Sequence, residues 1–200
     1  MSANAPLHGL VLAGGESRRM GVDKAALDYD GRTQLTVAFE RVSRHCEQAW
    51  ISVRAAQARD PVRASLPRIV DGIVGQGPIA GIAAAQAEYP DAAWLVVACD
   101  LPFLDDTTLD HLVAARGRGP VTAFRSAHDG LPEPLCAIYE PETREAILEF
   151  IASGRYCPRK FVLTTGVPLL DLPHGVALDN VNTPEEYAAA RARLGAGSRA

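Results

Sequence analysis

The sequence predicts a single α/β domain whose sheet is mostly parallel and carries helices on both faces. Three observations predict it. Short apolar runs of strand character alternate with segments of helical period along the chain. One run, Trp94 to Ala98, is apolar without interruption, as strands covered on both faces are. The 200 residues suit one domain with a substantial core, and they contain no repeat, low-complexity tract or linker.

In order, Leu7 to Leu12 is the first strand, and Leu35, Phe39, Val42 and Cys46 follow at helical spacing. Ala49 to Val53 and Arg68 to Val70 are the next two strands. Gly77-Pro78 opens a helix with Ile79, Ile82 and Ala83 on one face. After the buried run at Trp94, a helix from Asp105 to Ala115 turns Leu109, Leu112 and Val113 inward. Strands at Val121 to Phe124 and Leu135 to Tyr139 come next. Pro141 starts a helix with Ile147, Leu148 and Ile151 on one side, leaving Glu142, Glu145 and Glu149 to solvent. Thr183-Pro184-Glu185-Glu186 is a capping box, with Thr183 as N-cap and Pro184 at the first helical position. The domain then spans residues 1–194, and residues 195–200 form a frayed tail.

Composition narrows the function. With 48% hydrophobic and 22% charged residues the chain has the make-up of a soluble globular protein. Its net charge of −4 gives no nucleic-acid footprint. No apolar run approaches the roughly 20 residues that cross a bilayer, so no membrane partner is expected. The amino-terminal Met-Ser-Ala-Asn-Ala-Pro lacks a basic region and an apolar core, which points to the cytoplasm. Cys46, Cys99, Cys136 and Cys157 show no metal-ligand spacing and read as reduced thiols.

Residues 12–24, Leu-Ala-Gly-Gly-Glu-Ser-Arg-Arg-Met-Gly-Val-Asp-Lys, follow directly on the first strand. Gly14 and Gly15 remove the Cβ atoms that would keep a ligand from the backbone, so peptide N–H groups can meet phosphate oxygens. Arg18, Arg19 and Lys24 bring three positive charges to the same place. The loop is a phosphate grip, but not one of the two commonest kinds. It lacks the Gly-x-Gly-x-x-Gly of dinucleotide folds and the four-residue glycine spacing with Lys-Ser/Thr of a P-loop.

Asp100 closes the buried strand, in Cys99-Asp100-Leu101-Pro102. Ligands of open α/β sheets bind outside the carboxyl ends of the strands, so this carboxylate would meet the triphosphate. A carboxylate and a phosphate brought together call for a hard cation, and Mg²⁺ is the usual one. On its own chemistry Asp100 equally suits a loop cap before Pro102.

Taken whole, the form Leu-x-Gly-Gly-x-Ser-x-Arg-Met-Gly-x-Asp-Lys resembles the opening signature of the molybdenum cofactor guanylyltransferases. Its looser form is similar to the wider superfamily of sugar-phosphate and cytidylyl transferases. The resemblance implies a Rossmann-like nucleotidyltransferase fold and transfer of GMP from GTP to molybdopterin, with loss of pyrophosphate. It implies Mg²⁺ on Asp100, and catalytic roles for Arg19, Lys24 and Asp100. Leu12, Ala13, Gly14, Gly15, Lys24, Arg54, Asp71, Gly77 and Asp100 would line the nucleotide, with Asn180 and Asn182 on the acceptor side. Protein partners that deliver the cofactor or receive the product would go with such an activity.

Several of these residues also admit plainer readings. Asp71, after Ile69-Val70 and before Gly72, is by itself a strand-end turn former. Gly77-Pro78-Ile79-Ala80-Gly81 delivers a helix N-terminus, which suits an anion or a purine edge. Asn180 and Asn182, one residue apart in an extended segment, point the same way, although Asn182 alone would be a helix-entry residue. Asp23 orients an arginine or the loop, since a bare carboxylate would repel a triphosphate.

Two positions depart from the family pattern. Arg54 stands where an asparagine is expected to read guanine, and Glu133 is an acidic residue on the acceptor side. Two rivals follow. One keeps the chemistry and changes the partners, as a cytidylyl transferase to molybdopterin or a sugar-phosphate nucleotidyltransferase; the Gly14-Gly15 pair favours guanine, since the cytidylyl relatives more often read Leu-Ala-Ala-Gly. The other is a non-catalytic nucleotide-binding protein, against which Lys24 and Asp100 together argue.

Overall fold

The computed structural model describes residues 5–15, 21, 23–29, 31–72 and 76–197. Its elements, in chain order, begin with β1 (Leu7–Leu12), the short strands β2 (Asp28–Tyr29) and β3 (Arg32–Thr33), and α1 (Gln34–Ser43). Next come β4 (Gln48–Arg54), α2 (Pro61–Ala64), β5 (Arg68–Asp71), α3 (Pro78–Glu88), β6 (Ala93–Ala98) and α4 (Asp106–Ala114). The chain ends with β7 (Val121–Arg125), β8 (Pro132–Tyr139), α5 (Thr143–Ala152), α6 (Pro158–Thr165) and α7 (Pro184–Gly197).

Six of the strands make one sheet in the order β5-β4-β1-β6-β8-β7. The first four are mutually parallel, and β8 runs against both β6 and β7. The sheet is thus mostly parallel, as predicted. Alternation along each strand divides its side chains between two cores. Val11, Leu95 and Val97 face α1 and α4 through Leu35, Val42, Leu109 and Leu112. Leu10, Trp94 and Val96 face α3, α5 and α6 through Ile79, Ile82, Ile147, Phe150 and Phe161. Every residue of β6 is buried, which is why its sequence is apolar at each position.

The caps follow from the sequence. Thr33 accepts from the Thr36 N–H at α1, and Asp105 from the Thr108 N–H at α4. Gly77 enters α3 at φ 66°, a conformation that favours glycine. Within α3, a Cβ on Gly81 would collide with Ser52 Oγ, so the helix lies close over β4 only because that atom is missing.

Several boundaries and faces differ from expectation. Helix α1 stops at Ser43, and Cys46 packs beyond its end. Strand β8 begins at Pro132 rather than Leu135; Pro134 falls where the pairing with β7 slips at Ala123/Phe124, so no ladder N–H is needed there. In α5, Phe150 is buried and Leu148 is 43% exposed, because Leu148 lies one position off the stripe of Ile147, Phe150 and Ile151. Helix α7 runs on through Gly195 to Gly197, past the expected tail boundary. Periodicity does not signal the short α2 and α6 or the two-residue strands β2 and β3. Among the described residues no helix is long and apolar enough to cross a membrane.

Parallel register decides where the chemistry gathers. Leu12 pairs with Ser52 and Ala98, and Arg54 pairs with Asp71. The residues that follow β1, β4, β5 and β6 therefore emerge together at the carboxyl edge.

Candidate active site

The Gly14–Gly15 turn leaves β1 at this edge, after the Ala13 N–H has bonded to the Ser52 carbonyl at 3.0 Å. A Cβ on Gly14 would lie 3.6 Å from Arg54 Cγ and 3.7 Å from Asp71 Oδ2, and one on Gly15 would meet nothing within 4 Å among the described residues. Packing against the described residues therefore does not require either glycine. Arg18 and Arg19 lie outside the described residues.

Lys24 opens a 3₁₀ turn capped by Asp23, whose Oδ1 accepts the Ala25 N–H at 3.0 Å. The Lys24 ammonium donates to Asp100 Oδ2 at 2.8 Å and to Asn182 Oδ1 at 2.5 Å. The side chains of Lys24 and Asp100 are only 15% and 22% exposed, so the pair is largely sheltered. Asn182 reaches it because the Val181 N–H bonds to the Asp100 carbonyl at 3.1 Å, docking segment 180–182 against the end of β6. Asn182 Nδ2 in turn donates to Asn180 Oδ1 at 2.8 Å. Behind them the capping box forms: Glu186 Oε2 accepts from the Asn182 and Thr183 N–H groups, and Thr183 Oγ1 from the Glu186 N–H. Three sequence-predicted residues, Lys24, Asp100 and Asn182, thus meet in space, with Asn180 one contact away.

Tyr29 and Tyr187 close this side with an edge-on ring contact, and Tyr187 donates to the Asp28 carbonyl at 2.6 Å. Burial, with the Asp100 charge adding to it and the Arg191 charge opposing, pushes the Tyr29 phenol up to about 12, so it stays neutral beside the carboxylate.

The other side of the glycine turn holds Arg54 and Asp71. Gln57 Oε1 accepts from both the Arg54 backbone N–H and Nε at 3.3 Å, while Gln57 Nε2 donates to the Gly15 carbonyl at 3.4 Å. Burial holds the Asp71 carboxyl above its usual range, with the Arg54 charge opposing. Gly77 stands beyond β5 as the N-cap of α3. Glu133, unexpected on the acceptor side, faces the Arg159 guanidinium at 3.4 Å, and Arg159 also binds Asp129 at 2.8 Å. Its charge is met by a cation from α6.

Sequence reasoning missed Arg63 altogether. It is 1% exposed, and its guanidinium spans Asp23 and the Ala13 carbonyl. The only signal was Asp60-Pro61, a helix start that places an arginine on a four-residue turn. Burial alone would raise Asp23, but the Arg63 hydrogen bond, the Ala25 N–H and the Arg63 charge outweigh it and hold the carboxyl below its ordinary value.

Among the described residues no three His, Cys, Asp or Glu side chains gather as a metal cage. The donor set suits a cation that takes only part of its shell from protein. Asp100 and Asn182 present two hard oxygens that already converge on one ammonium.

Residues 9–165 match the family model described as a MobA-like NTP transferase domain. The chain is 44% identical over 167 residues to a protein of Opitutus terrae named "probable molybdenum cofactor guanylyltransferase", covering 81% of each. It is 35% identical to the molybdenum cofactor biosynthesis bifunctional protein of Synechocystis sp., matching over 92% of this chain but spanning about half, 54%, of that longer protein. In structure it is similar to molybdopterin-guanine dinucleotide biosynthesis protein A from Archaeoglobus fulgidus, with a TM-score of 0.79 at 24% identity over 94% of this chain and 99% of that one.

Proposed function

The chain belongs to the MobA-like NTP transferase family, and on that premise we propose that it transfers GMP from GTP to molybdopterin and releases pyrophosphate. The Opitutus terrae relative is named for guanylyl transfer in molybdenum cofactor synthesis, and the Synechocystis relative for molybdenum cofactor biosynthesis. The observation that supports it here is the meeting of Lys24, Asp100 and Asn182 beside the open glycine turn at the carboxyl edge.

In this reading the backbone N–H groups of Gly14 and Gly15 receive the triphosphate, and Arg19 and Lys24 neutralise it. Asp100 and Asn182 would hold Mg²⁺, which would supply positive charge against that building on the phosphates during transfer. The acceptor phosphate attacks the α-phosphorus in line; the bond to the bridging oxygen breaks and pyrophosphate leaves with its electrons. No covalent intermediate with the protein forms. The protein positions and neutralises. Arg54, oriented by Gln57, donates to guanine while Asp71 accepts from it, and Asn180 with Asn182 orders the acceptor.

The test is pyrophosphate release with purified molybdopterin, Mg²⁺ and each of the four nucleoside triphosphates. Release dependent on molybdopterin and greatest with GTP is expected. Greatest release with CTP would overturn the base assignment. GTP binding with neither transfer nor pyrophosphate exchange would make the protein a nucleotide carrier instead.

A further inference from the structure

We propose that Arg63 is a positioning residue of the transfer site, fastening the two ends of the phosphate-loop segment and thereby setting both the Gly14 N–H and Lys24 against the triphosphate; this rests on the reading of the glycine turn and Lys24 given above.

Arg63 Nε and Nη2 both donate to the Ala13 carbonyl, at 3.2 and 2.9 Å. Nη1 and Nη2 also donate to Asp23 Oδ2 and Oδ1, at 2.6 and 3.0 Å, and Asp60 Oδ2 lies 3.5 Å from Nη1. Every guanidinium nitrogen is engaged, inside a side chain that is almost wholly buried. Ala13 immediately precedes Gly14, and Asp23 immediately precedes Lys24. One planar group therefore ties the residue before the glycines to the residue before the lysine.

Two consequences follow from peptide geometry. The carbonyl and N–H of a planar trans peptide point in opposite directions. With the Ala13 carbonyl drawn to Arg63, the Gly14 N–H is aimed away from Arg63 and out of the core. At the other end, Asp23 is held by Arg63 through its carboxylate while the same carboxylate caps the turn that begins at Lys24. Arg63 thus sets the start of the Lys24 side chain without approaching the ammonium, which Asp100 and Asn182 receive.

A lysine at position 63 keeps the charge but not the fork, since a single ammonium has no planar pair of edges to bridge a carboxylate and a carbonyl. Loosening the loop should be felt by GTP and not by the acceptor. In the full chain, with Mg²⁺, GTP and molybdopterin, Arg63→Lys is expected to lower kcat/KM for GTP by about tenfold or more while leaving the KM for molybdopterin unchanged. Asp23→Asn should do the same. The double variant should lose little beyond either single one, because both act through one contact.

Rates are taken well below each variant's melting temperature. A merely structural defect lowers the amount of folded protein, and with it Vmax, without a KM change selective for GTP. Wild-type kcat/KM for GTP in Arg63→Lys, or equal changes for both substrates, would overturn the proposal. Should Arg63→Lys fail to fold, Asp23→Asn decides by the same readouts, its side chain being partly exposed. Lys24→Ala separates the two claims. Normal transfer by that variant would overturn the site itself, whereas a GTP-selective defect in Arg63→Lys stands or falls on its own measurement.

Discussion

The Lys24 ammonium lies 2.8 Å from Asp100 Oδ2, joining residues 76 positions apart across the mouth of the site. The pair is largely sheltered, but Asn182 also receives the ammonium, so removing Asp100 leaves Lys24 a hydrogen-bond partner and costs on the order of 1 kcal/mol. Its value to transfer is another matter, because Asp100 would hold the metal. Asp100→Ala is expected to abolish pyrophosphate release while thermal melting stays within a few degrees of wild type (roughly the shift that 1 kcal/mol produces). Substantial residual release would remove Asp100 from the mechanism.

The two asparagines should differ. Asn182 touches Lys24 directly, while Asn180 touches only Asn182. Asn182→Ala removes an oxygen from the cation-binding pair and should cost transfer about tenfold or more, whereas Asn180→Ala should cost less. Steady-state kinetics on both variants checks the order. A larger loss at Asn180 would place it on the substrate itself.

Arg54 bears on the choice of base. It stands at the end of β4, paired in register with Asp71 and bound by Gln57. If it donates to guanine, Arg54→Ala should narrow the gap between the thermal shifts given by GTP and CTP in Mg²⁺. An unchanged gap would assign base selection elsewhere.

His8 gives the fold a pH dependence remote from the chemistry. It is buried among Trp50, Tyr89 and Trp94, and burial lowers its pKa below the ordinary 6.5, against a smaller opposing pull from Glu47. The unfolded chain takes up this proton near pH 6.5, the folded chain only at lower pH. Its neutral-state contribution is therefore present above pH 6.5 and is lost as pH falls through the window below it. Urea unfolding at successive pH values should show stability declining below about 6.5, and a shallower decline in His8→Phe.

Gly81 is required by packing. Gly81→Ala would drive its methyl into Ser52 Oγ beneath α3, so a loss of about 1–3 kcal/mol is expected in urea unfolding. Pairing the change with Ser52→Gly should recover part of that loss.

The six strands of the main sheet, the buried run at Trp94 to Ala98 and the capping box at Thr183 are legible directly, because each depends on neighbours within a few positions. Leu148 was misplaced because a helical face is decided by what packs on it. Residues Lys24, Asp100 and Asn182 were singled out by motif, but their contact was not visible in any spacing. It depends on the parallel register of β1 and β6 and on the bond from the Val181 N–H to the Asp100 carbonyl.

Arg63 marks the boundary between the two kinds of information. An arginine on a short turn reads as solvated, since charge is rarely buried without partners. Its partners, Asp23 and the Ala13 carbonyl, stand 40 and 50 positions away. The alternation of strands and helices, the glycines with their cations, and the carboxylate at the end of a buried strand are properties of residue type and local period. That Arg63 bridges Asp23 and the Ala13 carbonyl, that Lys24 meets Asp100 and Asn182, and that Glu133 faces Arg159 comes from the folded core, because each needs two distant segments brought within a few ångströms.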